Sequence, residues 1–185
     1  MSRSANTERT IRLLLTGNPG VGKTTVVCAV VERLEGLACA GFYTEETREG
    51  GQRTGFRIVT LDGRQATLAS LGSQKPTVGK YSVRVEEFEK LVLGDLGSLA
   101  RAADLYVIDE IGKMELLSGR FRARIVELLG QPANLLATVS KKGNGFIDRI
   151  KRRTDVEIIE VTRRNRDGLA EELVGRIKTE LGRTD

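Results

Sequence analysis

The 185-residue chain contains no histidine, two cysteines and three prolines. The missing histidine excludes a histidine-based catalytic triad, a histidine-ligated metal and a histidine general base. Acid–base chemistry therefore falls to Asp, Glu, Lys, Tyr or Cys. Cys28 and Cys39 are too few for a disulfide framework or a cysteine zinc centre. Both sit among apolar residues, so small core side chains in a reducing compartment are expected. No stretch approaches the roughly 18 apolar residues of a membrane span. Residues Met1 to Arg9 lack the apolar core of a signal peptide and read as a polar tail. These absences predict a cytoplasmic protein that engages no membrane.

The 21 glycines, with so little proline, belong to particular turns rather than to low-complexity tracts. Hydrophobic residues at 39% and charged residues at 30%, with a net charge of 30 − 25 = +5, describe a soluble globular protein. The length suggests one domain over 1–185, and a chain of this size buries roughly 70% of its unfolded surface.

Ile11 to Thr16 is an apolar run stopped at Gly17, which reads as a buried strand. Lys23 to Leu34 carries Val26, Val27, Val30, Val31 and Leu34 at helical spacing. Leu37 to Thr44 reads as a second strand. From Glu45 to about Val85 the turn signals Gly50-Gly51 and Asp62-Gly63 predict an antiparallel insertion of short strands, ending with Tyr81 to Val85. Phe88, Leu91, Val92, Leu96 and Leu99 form a helical stripe interrupted near Gly94 and Gly97. Leu105 to Ile108 is a buried strand, and Met114, Leu117, Phe121, Ile125 and Leu128 repeat as one helix face. Leu135 to Val139 is a strand and Phe146 to Arg153 a short helix. Val156 to Val161 alternates like an outer strand, and Leu169, Leu173, Ile177 and Leu181 mark a closing helix. Strands alternating with helices at this pitch predict an α/β fold, a mostly parallel sheet covered on both faces.

Gly17-Asn18-Pro19-Gly20-Val21-Gly22-Lys23-Thr24 matches G-x-x-x-x-G-K-[ST]. Composition alone would produce such a match in roughly 1–2% of chains of this make-up, and this one falls between a predicted strand and a predicted helix. Glycines at positive φ let successive N–H groups turn inward around an anion, and the helix start adds its positive end. Lys23 is expected on the β- and γ-phosphates and the Thr24 hydroxyl on Mg²⁺. Leu105 to Ile108 followed by Asp109-Glu110 has the Walker B pattern, with Asp109 holding the metal through a water. The plainer alternative is a cap for a helix starting near Lys113. Glu110 is the candidate for setting water in line with the γ-phosphate. A Glu directly after the Walker B Asp resembles the additional-strand, catalytic-glutamate branch of P-loop NTPases. That resemblance implies a three-layer sandwich with a strand inserted between the P-loop and Walker B strands.

Three further runs are more specific: Asp109-Glu110-Ile111-Gly112-Lys113-Met114-Glu115-Leu116, Gly41-Phe42-Tyr43-Thr44-Glu45-Glu46 followed by Gly55-Phe56, and Thr162-Arg163-Arg164-Asn165-Arg166-Asp167. With the phosphate loop they resemble the small thermophilic-phosphatase-type nucleoside-triphosphatases, called cancer-related nucleoside-triphosphatase in animals, over about Ile11 to Leu181. The resemblance implies slow, Mg²⁺-dependent hydrolysis of ATP, GTP, CTP and UTP to the diphosphate and phosphate, with little base discrimination, by a monomer. It also implies nucleotide contacts from Gly17 to Thr24 with Thr25, and from Val107, Ile108, Asp109, Glu110, Ile111, Gly112, Lys113 and Met114.

Several charged groups keep two readings each. Glu45 and Glu46 close the second strand on the ligand-binding edge, as a water or Mg²⁺ ligand or as a solvated turn. Lys113 neutralises transition-state charge or sits on a helix surface. Arg120, Arg122, Arg149 and Arg166 are arginine-finger candidates in cis. Asn165 or Arg166, after the last strand, is a candidate base contact. Residues 141–166 hold nine Lys/Arg against four Asp/Glu. With Phe146 the only ring there, nucleic-acid binding is the weaker reading of that patch. The rival functions are a small-molecule or nucleotide kinase whose acceptor sits in the insertion, and a nucleic-acid-associated ATPase.

Overall fold

A continuous apolar run can be buried along its whole length only when both faces of its sheet are covered. Strand β1 (Arg12–Thr16) is buried at all five residues. Leu13 and Leu15 pack on one face and Leu14 on the other, as the two-residue period of a strand requires. The structure, a computed structural model, describes residues 10–97, 103–143 and 145–183. The predicted polar tail and Leu99 of the helical stripe lie outside the described residues.

After β1 come α1 (Lys23–Arg33), β2 (Cys39–Glu49), β3 (Gln52–Thr60), β4 (Gln65–Leu71), β5 (Thr77–Val78) and β6 (Tyr81–Val83). Then follow α2 (Val85–Gly97), β7 (Leu105–Ile111), a 3₁₀ turn (Glu115–Leu117), α3 (Gly119–Leu129), β8 (Leu135–Val139), α4 (Gly145–Lys151), β9 (Glu157–Glu160) and α5 (Arg166–Glu180). Among the described residues, nine strands form one sheet in the order β5-β6-β4-β3-β2-β7-β8-β1-β9. The pairings β2–β7, β7–β8, β8–β1 and β1–β9 are parallel. The β2–β3–β4–β6–β5 meander is antiparallel. α1 and α5 cover one face around Val27, Val30, Leu173 and Ile177. α2, α3 and α4 cover the other around Phe88, Phe121 and Ile147.

β8 lies between the phosphate-loop strand β1 and the Asp109 strand β7, as Glu110 led us to expect. The insertion extends the main sheet, and its first two strands are long. β2 runs through Glu45 and Glu46 to Glu49, so those residues do not close the strand. Cross-strand pairs keep it extended: Arg57 meets Glu45, and Arg53 meets Glu46, the opposite-charge pairing that stabilises a sheet. Gly50 and Gly51 turn the hairpin at φ 55° and 80°. The last insertion strand ends at Val83, because α2 begins at Val85. α2 passes Gly94 without a break. Leu117 is exposed, because a 3₁₀ turn precedes α3 and moves it off the face shared by Phe121, Ile125 and Leu128. Ser118 caps α3, its hydroxyl accepting from the Phe121 N–H. No described helix is long and apolar enough to cross a membrane.

Candidate active site

Residues 17–22 join β1 to α1 without regular structure, with Gly20 at φ 72° and Gly22 at φ 108°. Gly22 precedes the first helical residue, and no side chain caps that end. The first intrahelical bond runs from the Val26 N–H to the Gly22 carbonyl. The N–H groups of Lys23, Thr24 and Thr25 therefore remain oriented toward the loop. No acidic residue stands in this first turn to compete for them. The Lys23 ammonium lies 3.5 Å from the Gly17 carbonyl, folded back over the loop.

β7 brings the carboxylates. Between β7 and β8 the register slips after Ile108, so that Ile111 pairs with Val139. This bulge re-aims the residues inside it, namely Asp109 and Glu110, whose shared peptide bond is cis. Asp109 is 1% exposed. Its carboxylate accepts from the Thr24 hydroxyl at 2.7 Å and from the Thr138 hydroxyl at 2.6 Å. Its carbonyl accepts from the Thr44 hydroxyl at 2.7 Å. Burial raises the Asp109 carboxyl above its ordinary range, the Thr138 and Thr24 hydroxyls oppose that, and the Glu110 charge adds to it. Glu110 accepts at 2.8 Å from the Ser140 hydroxyl, just past the end of β8. Lys151 of α4 braces that segment by donating to the carbonyls of Ser140 and Lys141 at 2.7 and 3.1 Å.

A third carboxylate, Glu115, is buried beneath this pair. A Cβ placed on Gly112 would meet Glu115 Oε2 at 2.8 Å and Glu110 Oε1 at 3.1 Å, so the two carboxyls converge on one point. Burial pushes Glu115 up to about 8, and the charges of Glu110 and Asp109 add to the shift; the N–H groups of Glu115 itself and of Gly112 oppose it. Glu115 stood in the sequence run compared above without a role, and its burial was the missing signal.

These groups share one cleft of about 870 Å³. Pro19, Gly20, Gly22, Lys23, Thr24 and Thr25 line one side, and Asp109, Glu110, Gly112, Lys113, Met114 and Ser140 line its centre. Thr44, Glu45, Glu46, Arg53, Phe56, Leu68 and Val78 extend it under the meander. Val107, Ile108 and Ile111 have no exposed surface. They anchor β7 in the core and present no side chain to the cleft. Gly17 packs against the Val161 carbonyl, which leaves no room for a Cβ, while Asn18 accepts from the Val21 N–H within the loop.

Asn165 spends its side chain on its own loop, accepting from Thr162 and donating to the Glu160 carbonyl. Arg166 reaches the Val21 carbonyl at 3.3 Å and lies 3.6 Å from where a Gly22 Cβ would stand. Among the four arginine-finger candidates, it is the one beside the phosphate loop. Arg120 pairs with Glu89, Arg122 donates to the Leu116 carbonyl, and Arg149 stacks on Phe146. Within the basic patch, Lys141 pairs with Glu160, Lys151 donates to the Ser140 carbonyl, and Arg153 pairs with Asp155. Cys28 and Cys39 are free thiols and half-buried, and burial, with Asp109 nearby, pushes Cys28 up to about 11.

The chemistry of Asp109 fits a divalent cation. It is a buried carboxylate whose side-chain hydrogen bonds come from two neutral hydroxyls, and no group of three or more His, Cys, Asp or Glu suited to a metal occurs among the described residues. One carboxylate, one hydroxyl, water and substrate phosphates are how Mg²⁺ is usually held.

The sequence model of a family described as NTPase matches residues 12–174. Nucleoside-triphosphatase THEP1 of Thermotoga maritima is 40% identical over 173 residues, which cover 93% of this chain and 98% of that protein. The cancer-related nucleoside-triphosphatase homolog of Mus musculus is 38% identical over 183 residues, covering 90% and 96%. The crystal structure of THEP1 from the hyperthermophile Aquifex aeolicus superimposes with a TM-score of 0.83 at 37% identity, covering 91% of this chain and 99% of that one. Matched nearly end to end in sequence and in fold, the chain belongs to the NTPase family that includes THEP1 and the cancer-related nucleoside-triphosphatases.

Proposed function

We propose that the protein hydrolyses nucleoside triphosphates to the diphosphate and phosphate, slowly, with Mg²⁺ and with little regard for the base. The observation that carries this reading is Glu110, fixed by Ser140 at the centre of the cleft that the phosphate loop opens onto. The N–H groups at the start of α1 and the Lys23 ammonium would hold the β- and γ-phosphates, a preorganised set of donors for charge that moves during transfer. Thr24 and Asp109 would hold Mg²⁺, which when bound neutralises phosphate charge. Glu110 Oε1 accepts from Ser140, so its second oxygen is the atom to take the proton of an attacking water.

Broad base use is supported by Asn165, whose amide is committed within its own loop. That leaves Arg166 to lie against a base without reading its edge. Half-buried free thiols support a reducing, cytoplasmic setting for this enzyme, which we read as a monomer.

The test is phosphate release from ATP, GTP, CTP and UTP with Mg²⁺, beside Glu110→Gln. The parent should release phosphate from all four. The variant should bind nucleotide as before and lose at least about a hundredfold in turnover, the usual weight of a positioned base. Parental turnover in the variant would refute the role of Glu110.

A further inference from the structure

α3 buries Phe121, Ile125 and Leu128 yet leaves Val126 60% exposed, with Ala123 exposed beside it. α4 buries Ile147 and Ile150 and presents a half-buried Phe146 and an exposed Arg149. Arg122, Ala123, Val126, Phe146 and Arg149 together line an open groove of about 600 Å³ between the two helices. Helical spacing explains the grouping: Arg122 and Val126 are four residues apart on α3, and Phe146 and Arg149 three apart on α4. The groove shares no residue with the catalytic cleft.

The charge of this groove has one sign. Elsewhere on α3, Arg120 pairs with Glu89 and Arg124 with Glu127. The two arginines that line the groove pair with no carboxylate among the described residues. Arg122 donates to the Leu116 carbonyl, and Arg149 lies 5.8 Å over the Phe146 ring. A stacked guanidinium keeps its edge N–H groups for a carboxylate, and a two-bonded arginine–carboxylate pair adds direction as well as energy. An apolar floor between two such arginines complements a segment that carries an apolar side chain flanked by acids. Nucleic acid fits less well, because it asks for a track of cations and for open ring faces. Here the one ring lies under Arg149, and the neighbouring arginines of α3 are already paired. The chain's own first nine residues carry two arginines and one glutamate, the wrong sign for the groove. We infer that the α3–α4 groove docks a partner protein through a short acidic segment. Its apolar side chain sits between Val126 and Phe146, and its carboxylates meet Arg122 and Arg149.

The probe is a fluorescein-labelled peptide of about twelve residues, glutamate throughout except for leucines at the spacing of one helix face. Its fluorescence anisotropy is followed as the full chain is added. Two control peptides carry lysine for every glutamate or serine for every leucine. The acidic, leucine-bearing peptide should bind saturably and at least about tenfold more tightly than either control. Val126→Asp and Arg149→Glu should each weaken it about tenfold or more, the weight of an interface anchor. Both positions are exposed, so neither change touches the core, and Tm checks the fold of each variant. Arg122 also holds the Leu116 carbonyl, so it is left in place. Saturating ADP with Mg²⁺ should leave the peptide bound.

No saturable binding, equal binding of the lysine peptide, or full affinity in both variants would overturn the docking site. Displacement of the peptide by ADP with Mg²⁺ would put it on the phosphate loop and overturn the groove. A labelled single-stranded RNA that binds where the peptide does not, and is lost in Arg149→Glu, would assign the groove to nucleic acid instead. A dimer in sedimentation velocity that Val126→Asp dissolves would assign it to a second copy of this chain.

Discussion

Glu115→Gln isolates one buried ionisation. The Glu115 carboxyl is 4% exposed, and burial holds it at about 8 against an ordinary 4.5. Between those two values the folded protein keeps a proton that the unfolded chain has released. Stability therefore falls as pH rises, because the native state binds more protons than the unfolded state. It is greatest below 4.5 and is lost up to about 8. Each pH unit in that window is worth about 1.4 kcal/mol, so the whole interval amounts to roughly 5 kcal/mol. That is a large part of the 5–15 kcal/mol of a typical domain. Glutamine has nearly the same shape, and its amide oxygen can accept from the same N–H groups without titrating. Asp109 is raised as well, so the informative quantity is the difference between parent and variant. Urea unfolding without metal or nucleotide, repeated from pH 5 to pH 8, measures it. The variant should match the parent near pH 5 and gain on it steadily, reaching several kcal/mol by pH 8. A difference that stays flat across the range would refute the buried-proton argument.

Two further substitutions probe the scaffold around the site. Gly41→Ala places a methyl group 1.9 Å from the Val107 carbonyl oxygen at φ 130°. It should force β2 and β7 apart and destabilise the fold by about 3 kcal/mol or more, read as a fall in Tm; an unchanged Tm would contradict that close approach. Ser140→Ala removes the donor on Glu110 Oε1. Turnover should fall about ten- to hundredfold with nucleotide affinity retained, as expected for a misplaced reacting group. Parental kcat would show that Ser140 does not position Glu110.

The parts of the site that could be read from the sequence are those made by adjacent residues. Gly17 to Thr24 is a single turn whose chemistry lies in its own backbone, and Asp109-Glu110 ends a single apolar run. Sheet order was legible through a resemblance, because the Glu after Asp109 is similar to that of the P-loop branch with an inserted strand. The partners that complete the site come from distant segments. Thr138 and Ser140 reach the two carboxylates only because β8 lies beside β7. Their one visible trace was a polar residue within and another just after an apolar strand, on the edge where such sheets bind ligands. Glu45 and Glu46 read as the close of the second strand, as ligand or as solvated turn, because charges usually end a strand. The arginines that keep β2 extended are contributed by β3, at Arg57 and Arg53.

Charge balance ties these pieces together. Asp109 and Glu115 are buried and Glu110 is partly so, and the pKa of both buried groups is raised by burial and by the charge of Glu110. Lys23 is folded back on the Gly17 carbonyl, and Thr24, Thr138 and Ser140 supply hydroxyls without charge. Neutral donors orient a carboxylate without neutralising it, so Asp109 and Glu110 are left able to take a cation. A polyphosphate alone would bring like charge toward Asp109 and Glu110; a polyphosphate carrying Mg²⁺ would bring the charge those residues lack. The pairing of Asp109 with two threonines, where a structural site would use a lysine or arginine, thus favours the metal complex of the nucleotide over the bare anion. The same economy of positive charge explains why Glu115 holds its proton. A third anion beside Asp109 and Glu110 would meet only neutral N–H donors at Glu115 and Gly112, which do not outweigh its burial, and the protonated carboxyl sits against Gly112 without adding to the repulsion.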